Sequence, residues 1–178
     1  MHIEQSPIED VKIITQCKAD DHRGSFVKTF HRTSLLQGGI DFHLNESFYS
    51  VSKQGVIRGM HFHHPPYDHD KIVFCTQGRI LDVAVDLRAQ SPTYGQAVSC
   101  ELSLENHKAL WIPKGFAHGF LTLSDMATTF YFVSGEYHAA ADDGIRYDSF
   151  GFDWGIANPI LSERDLGFVS LPSFQSPF

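Results

Sequence analysis

The chain has 178 residues, of which 42% are hydrophobic, and it carries 15 Phe, 6 Tyr and 2 Trp. This composition supports one hydrophobic core, so we expect a single domain over residues 1–178 and exclude a disordered chain. The formal net charge is −7 and the 14 Lys and Arg residues are scattered, which excludes an extended nucleic-acid-binding surface. Residues 1–20 lack the apolar core of a signal peptide, and no apolar run is long enough for a membrane span. We therefore predict a cytoplasmic protein without membrane contact.

Nine short stretches rich in β-branched and aromatic residues follow one another, with Gly, Pro, Asn or Asp in nearly every gap. This spacing predicts an all-β sandwich or barrel rather than alternating βαβ units. In the fifth stretch the apolar run is almost continuous, which is typical of a strand covered on both faces. The predicted strands are residues 11–14, 25–30, 46–52, 71–76, 79–86, 96–102, 109–112, 119–123 and 128–133.

Two segments, residues 33–37 and 162–166, have the pattern of short peripheral helices. Ser162 is of the residue type that caps helix N-termini, so we expect a short helix within the tail 155–178, packed on the barrel or on a partner subunit. The cysteines are odd in number and far apart, so we predict neither a disulfide framework nor a zinc site. We interpret all three as buried small residues: Cys17, Cys75 and Cys100.

The densest group of polar residues lies between Gly55 and Gly78. In a strand, His61 and His63 fall on the same face, because side chains alternate with a period of two. His118 follows a later Pro-x-Gly turn. Three other histidines are interpreted as solvent-exposed: His64, His69 and His107.

Motifs spread over nearly the whole chain resemble, in order and spacing, the dTDP-4-dehydrorhamnose 3,5-epimerase family. They are DHRGSFVKTF (21–30), GVIRGMHF (55–62), DKIV (70–73), GRILDVAVDLRAQSPTYG (78–95), LWIPKGFAHGF (110–120), GIRYDSFGFDW (144–154) and LSERD (161–165). The resemblance implies a cupin-type jelly-roll β-barrel, a nucleotide-diphosphate sugar as substrate, and no metal or other cofactor. It also implies a homodimer in which the N-terminal strands, within residues 1–50, reach the partner's site.

The resemblance assigns four catalytic roles. His61 is similar to the family's general base, and Asp165 to the carboxylate that orients it. Lys71 resembles the group beside the C4 carbonyl, and Tyr131 the proton donor on the opposite face of the sugar. These residue types suit the reaction: a proton beside a ketone is removable only if a cation or donor stabilises the enolate, and inversion needs a second acid on the other face.

Further residues are candidates for substrate binding. Arg23 and Arg58 resemble diphosphate-binding arginines, and His118 resembles a sugar-pocket residue. At two places, Lys28 and the stretch 45–49, the chain departs from dTDP-specific relatives, so thymidine is the leading nucleotide while GDP and CDP stay open. Inversion of C3 alone or of both C3 and C5 also stays open. The candidate substrate-binding residues are Arg23, Lys28, Glu46, Arg58, His63 and His118.

Two alternatives remain at this point. His61, His63, Asp68 and His118 reproduce the ligand types of metal-dependent cupin enzymes such as dioxygenases or sugar isomerases, although Lys71 would place a positive charge near the ion. A non-catalytic sugar-nucleotide binding module would keep the arginines but would not need a base and an acid together.

Overall fold

Thirteen β-strands and two short α-helices make up the protein in the computed structural model, which describes residues 1–178. The strands are β1 (His2–Gln5), β2 (Lys12–Thr15), β3 (Cys17–Asp21), β4 (Gly24–Lys28), β5 (Glu46–Lys53), β6 (Ile57–His63), β7 (Lys71–Gln77), β8 (Arg79–Asp86), β9 (Ala97–Ser103), β10 (Lys108–Ile112), β11 (Phe116–Thr122), β12 (Met126–Val133) and β13 (Asp142–Gly144). The helices are α1 (Arg32–Gln37) and α2 (Glu163–Leu166), and a 3-10 turn spans Leu171–Ser173. Neither α-helix has the length and hydropathy that a membrane-crossing helix needs.

All strands except β3 and β4 belong to two antiparallel sheets. The front sheet has the order β1-β2-β10-β7-β12-β5, and the back sheet has the order β13-β6-β11-β8-β9. The two sheets face each other and form a jelly-roll barrel of the cupin type, as the family resemblance implies, with the short helices at its periphery.

Side chains along β8 alternate between the inside and the outside of the barrel. Ile80 and Ala84 pack between the sheets with Val73 of the front sheet and Phe120 of the back sheet. Val83, in contrast, belongs to the cluster on the outer face of the back sheet. Strand β8 is therefore covered on both faces, as its nearly continuous apolar run predicts.

The C-terminal segment, residues 145–178, covers the outer face of the back sheet. Trp154 and Leu171 are buried there, and the rings of Phe174 and Phe178 pack on Phe62 of β6 with centroid distances of 5.3 and 5.6 Å. The segment thus packs on the barrel of its own chain. It carries α2, which contacts β6.

Helix α1 and the residues after it cover the outer face of the front sheet. Leu35, Ile40 and Phe42 are fully buried there against Ile72 and Phe74 of β7. With both outer faces covered, the polar side chains that face inward are the ones available to line a site.

The hairpin formed by β3 and β4 contributes to none of the three core clusters. Every residue of β3 is exposed, and Phe26 of β4 is 65% exposed. Cys17 begins this hairpin and is exposed, so the prediction of buried cysteines is wrong for Cys17 because the hairpin has no core to pack on. It is confirmed for Cys75 and Cys100.

Candidate active site

The side chains predicted to do chemistry extend from both sheets into the barrel interior. His61 on β6 and His118 on β11 are directly opposite each other in the back sheet. Lys71 on β7 and Tyr131 on β12 belong to the front sheet. Two contacts cross from sheet to sheet: Lys71 Nζ donates to the His61 carbonyl, and the rings of His118 and Tyr131 meet edge to face at 5.8 Å.

Two glycines let β6 and β11 approach closely beside this site. Gly59 has a φ of 132°, and a Cβ there would lie 2.5 Å from the Cα of Gly119. The register of the two strands shifts between His118 and Phe120 at the same place. Any side chain at Gly59 would therefore push apart the strands that carry the two histidines.

Asp165 holds the imidazole of His61. Ser162 caps α2 by accepting a 3.1 Å hydrogen bond from the Asp165 backbone, which fixes the start of the helix. Asp165 Oδ1 lies 2.8 Å from His61 Nε2, and Oδ2 accepts a 3.1 Å bond from the Gly59 backbone. Burial raises the pKa of Asp165, but these hydrogen bonds outweigh it and the pKa falls below its usual value. An ionised carboxylate at Nε2 selects the tautomer whose Nδ1 carries the lone pair.

Lys71 places an ammonium group beside the base. Its Nζ donates a 3.3 Å hydrogen bond to the His61 carbonyl. Burial lowers the pKa of Lys71 to about 8, and the carboxylates of Asp142 and Asp82 act against that shift. At neutral pH the group is thus mainly a cation, with an affinity for its proton low enough to share it with a developing oxyanion.

His118 is held by a carboxylate that the sequence analysis missed. Its Nε2 lies 2.7 Å from Oδ1 of Asp82, and both residues are buried. Burial raises the pKa of Asp82, and His118 opposes that rise. A signal was present in the sequence: Asp82 interrupts the apolar run of a strand predicted to be covered on both faces, where an acidic residue needs a partner.

Tyr131 is buried on the opposite wall from His61. Burial and the nearby Asp82 carboxylate raise its pKa, so its phenol keeps its proton at neutral pH. Phe48 of β5, which the sequence analysis also missed, stacks on the Tyr131 ring at 4.7 Å and 20°. Arg58 donates a 2.9 Å bond to Ser52 from the strand that carries His61.

His63 and Glu46 lie at the edge of this group. The His63 ring packs on His69 at 4.7 Å and meets Tyr137 edge to face at 5.7 Å. Glu46 accepts a 3.0 Å bond from the Tyr137 backbone, so it anchors that loop. Both side chains therefore contact the loop that carries Tyr137, at the edge of the catalytic group.

The prediction that His64, His69 and His107 are solvent-exposed is wrong, since all three are partly buried. His64 pairs with Asp143 at 2.9 Å, on the strand next to β6. His69 packs on the His63 ring at 4.7 Å, and burial lowers its pKa to about 4. The interpretation failed because His64 packs edge to face on Phe62 at 5.2 Å and His69 packs on the ring of His63.

Arg23 and Lys28 do not join the site within one chain. Both lie in the exposed β3–β4 hairpin, where Arg23 pairs with Asp21 at 2.6 Å and its side chain is 79% exposed. Both side chains are therefore exposed on the surface of the single chain.

The metal-binding alternative finds no support in the arrangement of its ligands. His61 and His118 each direct Nε2 at a carboxylate, and His63 Nε2 accepts a 3.4 Å bond from the His138 backbone. No group of three or more His, Cys, Asp or Glu side chains, Asp68 included, is arranged to hold an ion.

Known proteins resemble this chain over nearly its whole length. The family model for dTDP-4-dehydrorhamnose 3,5-epimerase matches residues 5–173. A dTDP-4-dehydrorhamnose 3,5-epimerase of Sinorhizobium fredii is 41% identical over 175 residues, which is 96% of this chain and 90% of that protein. A dTDP-4-dehydrorhamnose 3-epimerase of Streptomyces niveus is 36% identical over 168 residues, which is 93% of this chain and 81% of that protein.

Solved structures agree with this likeness. The dTDP-6-deoxy-D-glucose-3,5-epimerase of Legionella pneumophila, in complex with dTDP-4-keto-L-rhamnose, superposes with a TM-score of 0.93 and 35% identity. The superposition covers 98% of this chain and 94% of the Legionella chain. The range matched by the family model contains every residue of the site described above.

Proposed function

The chain belongs to the dTDP-4-dehydrorhamnose 3,5-epimerase family, and we propose that His61, Lys71, Tyr131 and Asp165 are its catalytic residues. It is an isomerase that epimerises a nucleotide-linked 4-keto-6-deoxy hexose beside its ketone, and the metal-dependent alternative does not apply. The observation that carries the residue assignment is the position of the His61–Asp165 pair and of Tyr131 on opposite sheets of one interior. A proton can leave one face of a sugar held between them while another arrives at the opposite face.

The proposed reaction runs through an enolate. Nδ1 of His61 takes the proton from the carbon next to the C4 ketone; the electron pair of that C–H bond forms the C=C bond of the enolate, and the π pair of the carbonyl moves onto the ketone oxygen. Lys71 donates a hydrogen bond to this oxygen as its charge develops. Tyr131 then protonates the carbon from the opposite face, and proton exchange with solvent restores both side chains. Asp165 stabilises the imidazolium that forms on His61.

We propose that the substrate is dTDP-4-dehydro-6-deoxyglucose and that both C3 and C5 are inverted. The 3,5-epimerases of Sinorhizobium and Legionella support this choice. The Streptomyces niveus 3-epimerase supports a second candidate, inversion of C3 alone on the same scaffold. Arg58, on the strand of the base, is the proposed diphosphate contact within the chain.

We further propose that the protein acts as a homodimer in which the β3–β4 hairpin completes the partner's site. Arg23 and Lys28 lie on an exposed hairpin away from the site of their own chain, and Phe26 exposes an aromatic ring beside them. Strand β5 is an edge of the front sheet, and its Tyr49 is 63% exposed. Domain-swapped dimers bury exposed hairpins and apolar sheet edges of this kind.

Mixing two inactive variants tests the exchange of hairpins. If Arg23 acts in the partner's site, R23A and H61A subunits each lack one half of a site, and their heterodimer contains one complete site. In an equal mixture whose subunits reassort at random, half of the dimers are heterodimers, and each of these has one complete site out of two. The mixture should therefore recover about a quarter of wild-type activity. Activity that stays absent after subunit exchange, confirmed by mass, contradicts the arrangement.

We also infer a cytoplasmic location. The support is that Cys17, Cys75 and Cys100 are all free thiols, which an oxidising compartment would not favour.

The test of the reaction is proton NMR in deuterated water with dTDP-4-dehydro-6-deoxyglucose. Deuterium at C3 and C5 supports double epimerisation, and deuterium at C3 alone supports the second candidate. Absence of exchange contradicts the dTDP assignment and leads to GDP- and CDP-linked sugars. H61N should lose several orders of magnitude in turnover and keep nucleotide binding. H64N is the matched control, because His64 also pairs with a carboxylate, at 2.9 Å, but outside the catalytic group.

A further inference from the structure

Arg164, the residue before Asp165 in α2, ties the helix to β13. Its Nη2 lies 2.9 Å from Oδ2 of Asp142 and donates a 3.3 Å bond to the carbonyl of the same residue. Asp142 is mostly shielded from solvent, with 13% of its side chain exposed. Because β13 pairs with β6, this bond anchors α2 to the strand next to the one that carries His61.

A second contact of Arg164 reaches the base itself. Its guanidinium lies over the ring of Phe168, 5.2 Å from the centroid, and Phe168 meets the His61 ring edge to face at 5.7 Å. Gly144, opposite His61 in β13, makes room for that ring, since a Cβ there would lie 2.5 Å from Phe168. The His61 imidazole is therefore in contact with both Asp165 and Phe168. Arg164 contacts Phe168 and precedes Asp165 in the chain.

The third connection runs through Asp142, which lies opposite His63 on β6, to Lys71, whose Nζ donates to the carbonyl of His61 on the same strand. Burial lowers the pKa of Lys71, and Asp142 is the charged group that opposes this most strongly. The other groups around Lys71 are Asp82 on β8, His63 on β6 and His69 in the loop before β7. The Asp142 carboxylate pairs with Arg164 at 2.9 Å, while Lys71 Nζ donates to the His61 carbonyl.

We propose that Arg164 is a positioning residue that acts on both halves of the catalytic group. Through α2 and Phe168 it keeps His61 in register with Asp165, and through Asp142 it leaves the Lys71 ammonium free for the ketone oxygen. The proposal rests on the catalytic roles proposed for His61 and Lys71.

The kinetic test compares R164M, R164K, D142N and the double variant R164M/D142N. R164M should lower kcat about tenfold to a hundredfold while KM changes less than about threefold, because the ground-state contacts of the substrate are untouched. R164K, which keeps the charge but not the guanidinium over the Phe168 ring, should lose less. R146M is the matched control, since Arg146 forms a comparable pair with Asp148 at 2.6 Å away from the site.

The pH profile separates positioning from general destabilisation. Catalysis needs protonated Lys71, so its pKa sets an alkaline limb. An unpaired Asp142 in R164M stabilises the ammonium and moves this limb to higher pH, whereas D142N moves it to lower pH. The double variant should return it close to the wild-type position. A folded R164M with unchanged kcat and an unmoved limb overturns the proposal.

NMR of the His61 imidazole gives a readout that needs no substrate. In wild type we expect one tautomer with its proton at Nε2, and in R164M a mixture of tautomers with broadened signals. If wild type does not turn over any sugar nucleotide, the catalytic roles fail while this spectrum still reports the positioning. Identical His61 spectra in wild type and R164M overturn the positioning role whatever the activity.

Discussion

Replacing Asp165 by asparagine keeps the shape of the side chain and leaves an acceptor at only one of its two terminal atoms. In wild type, one oxygen accepts from His61 Nε2 and the other from the Gly59 backbone, at 2.8 and 3.1 Å. An amide has only one oxygen. If this oxygen faces Gly59, the NH2 group donates to Nε2, and the proton of His61 moves to Nδ1, which can then no longer act as a base.

The magnitude follows from the cost of the productive arrangement in D165N. To keep the Nε2 proton, the amide oxygen must face His61, which leaves the Gly59 N–H buried against an NH2 group. An unsatisfied buried donor costs about 1–3 kcal/mol, and exchanging a charge-assisted bond for a neutral one costs about 1 kcal/mol more. The total of about 2–4 kcal/mol corresponds to a loss of about 30-fold to 900-fold in kcat.

The assay is turnover followed by proton NMR, with the tautomer of His61 read from the same sample. D143N is the control, because Asp143 forms a geometrically similar pair with His64 at 2.9 Å outside the catalytic group, and its turnover should stay within about twofold of wild type. A D165N enzyme that loses less than about threefold, or whose His61 keeps its proton at Nε2, would refute the reasoning.

Three further predictions concern other groups. Y131F should still exchange the substrate proton with deuterated water while inversion falls at least about a hundredfold, because the base remains and the acid is lost; equal losses of both would contradict its role. Since burial lowers the pKa of Lys71 to about 8, kcat should decline above about that pH, and a profile flat into the alkaline range argues against a catalytic ammonium. Burial raises the pKa of Asp86, but hydrogen bonds from Arg88 and neighbouring hydroxyls lower it to about 2. The ionised carboxylate therefore stabilises the fold at pH values above the ordinary Asp pKa of 3.8, and this stabilisation is lost as the pH falls through about 2. Urea unfolding of wild type and D86N across this range should show the two curves converging in acid.

Most strands that the sequence predicts have side chains that fill a core, and β4 is an exception because its hairpin joins none of the three clusters. The short strands outside the nine predicted stretches, β1, β3 and β13, are polar. Strand β3, CKADD, is held only by pairing with β4, and its residues are all exposed, so no alternation of apolar residues marks it. Strand β13 reads as a turn, DDG, and exists because β6 offers it an edge. Backbone pairing without burial leaves no hydrophobic pattern in a sequence.

The same distinction applies to the site. His61 and His63 could be assigned to one face of a strand from alternation alone. The partner of His61 could not be identified from alternation, because Asp165 is 104 residues away in the chain. Only the family resemblance connected the two residues. Phe48 and Phe168 carried no usable signal, since half-exposed aromatic residues are common on protein surfaces.

The separation of His61 from Asp165 also orders events during synthesis. All thirteen strands precede Asp165 in the chain, as β13 ends at Gly144. A ribosome therefore releases every strand of the barrel before it releases the residue that orients the base. Because residues 145–178 cover the outer face of the back sheet, a chain that ends at Gly144 lacks both that cover and the carboxylate that orients His61.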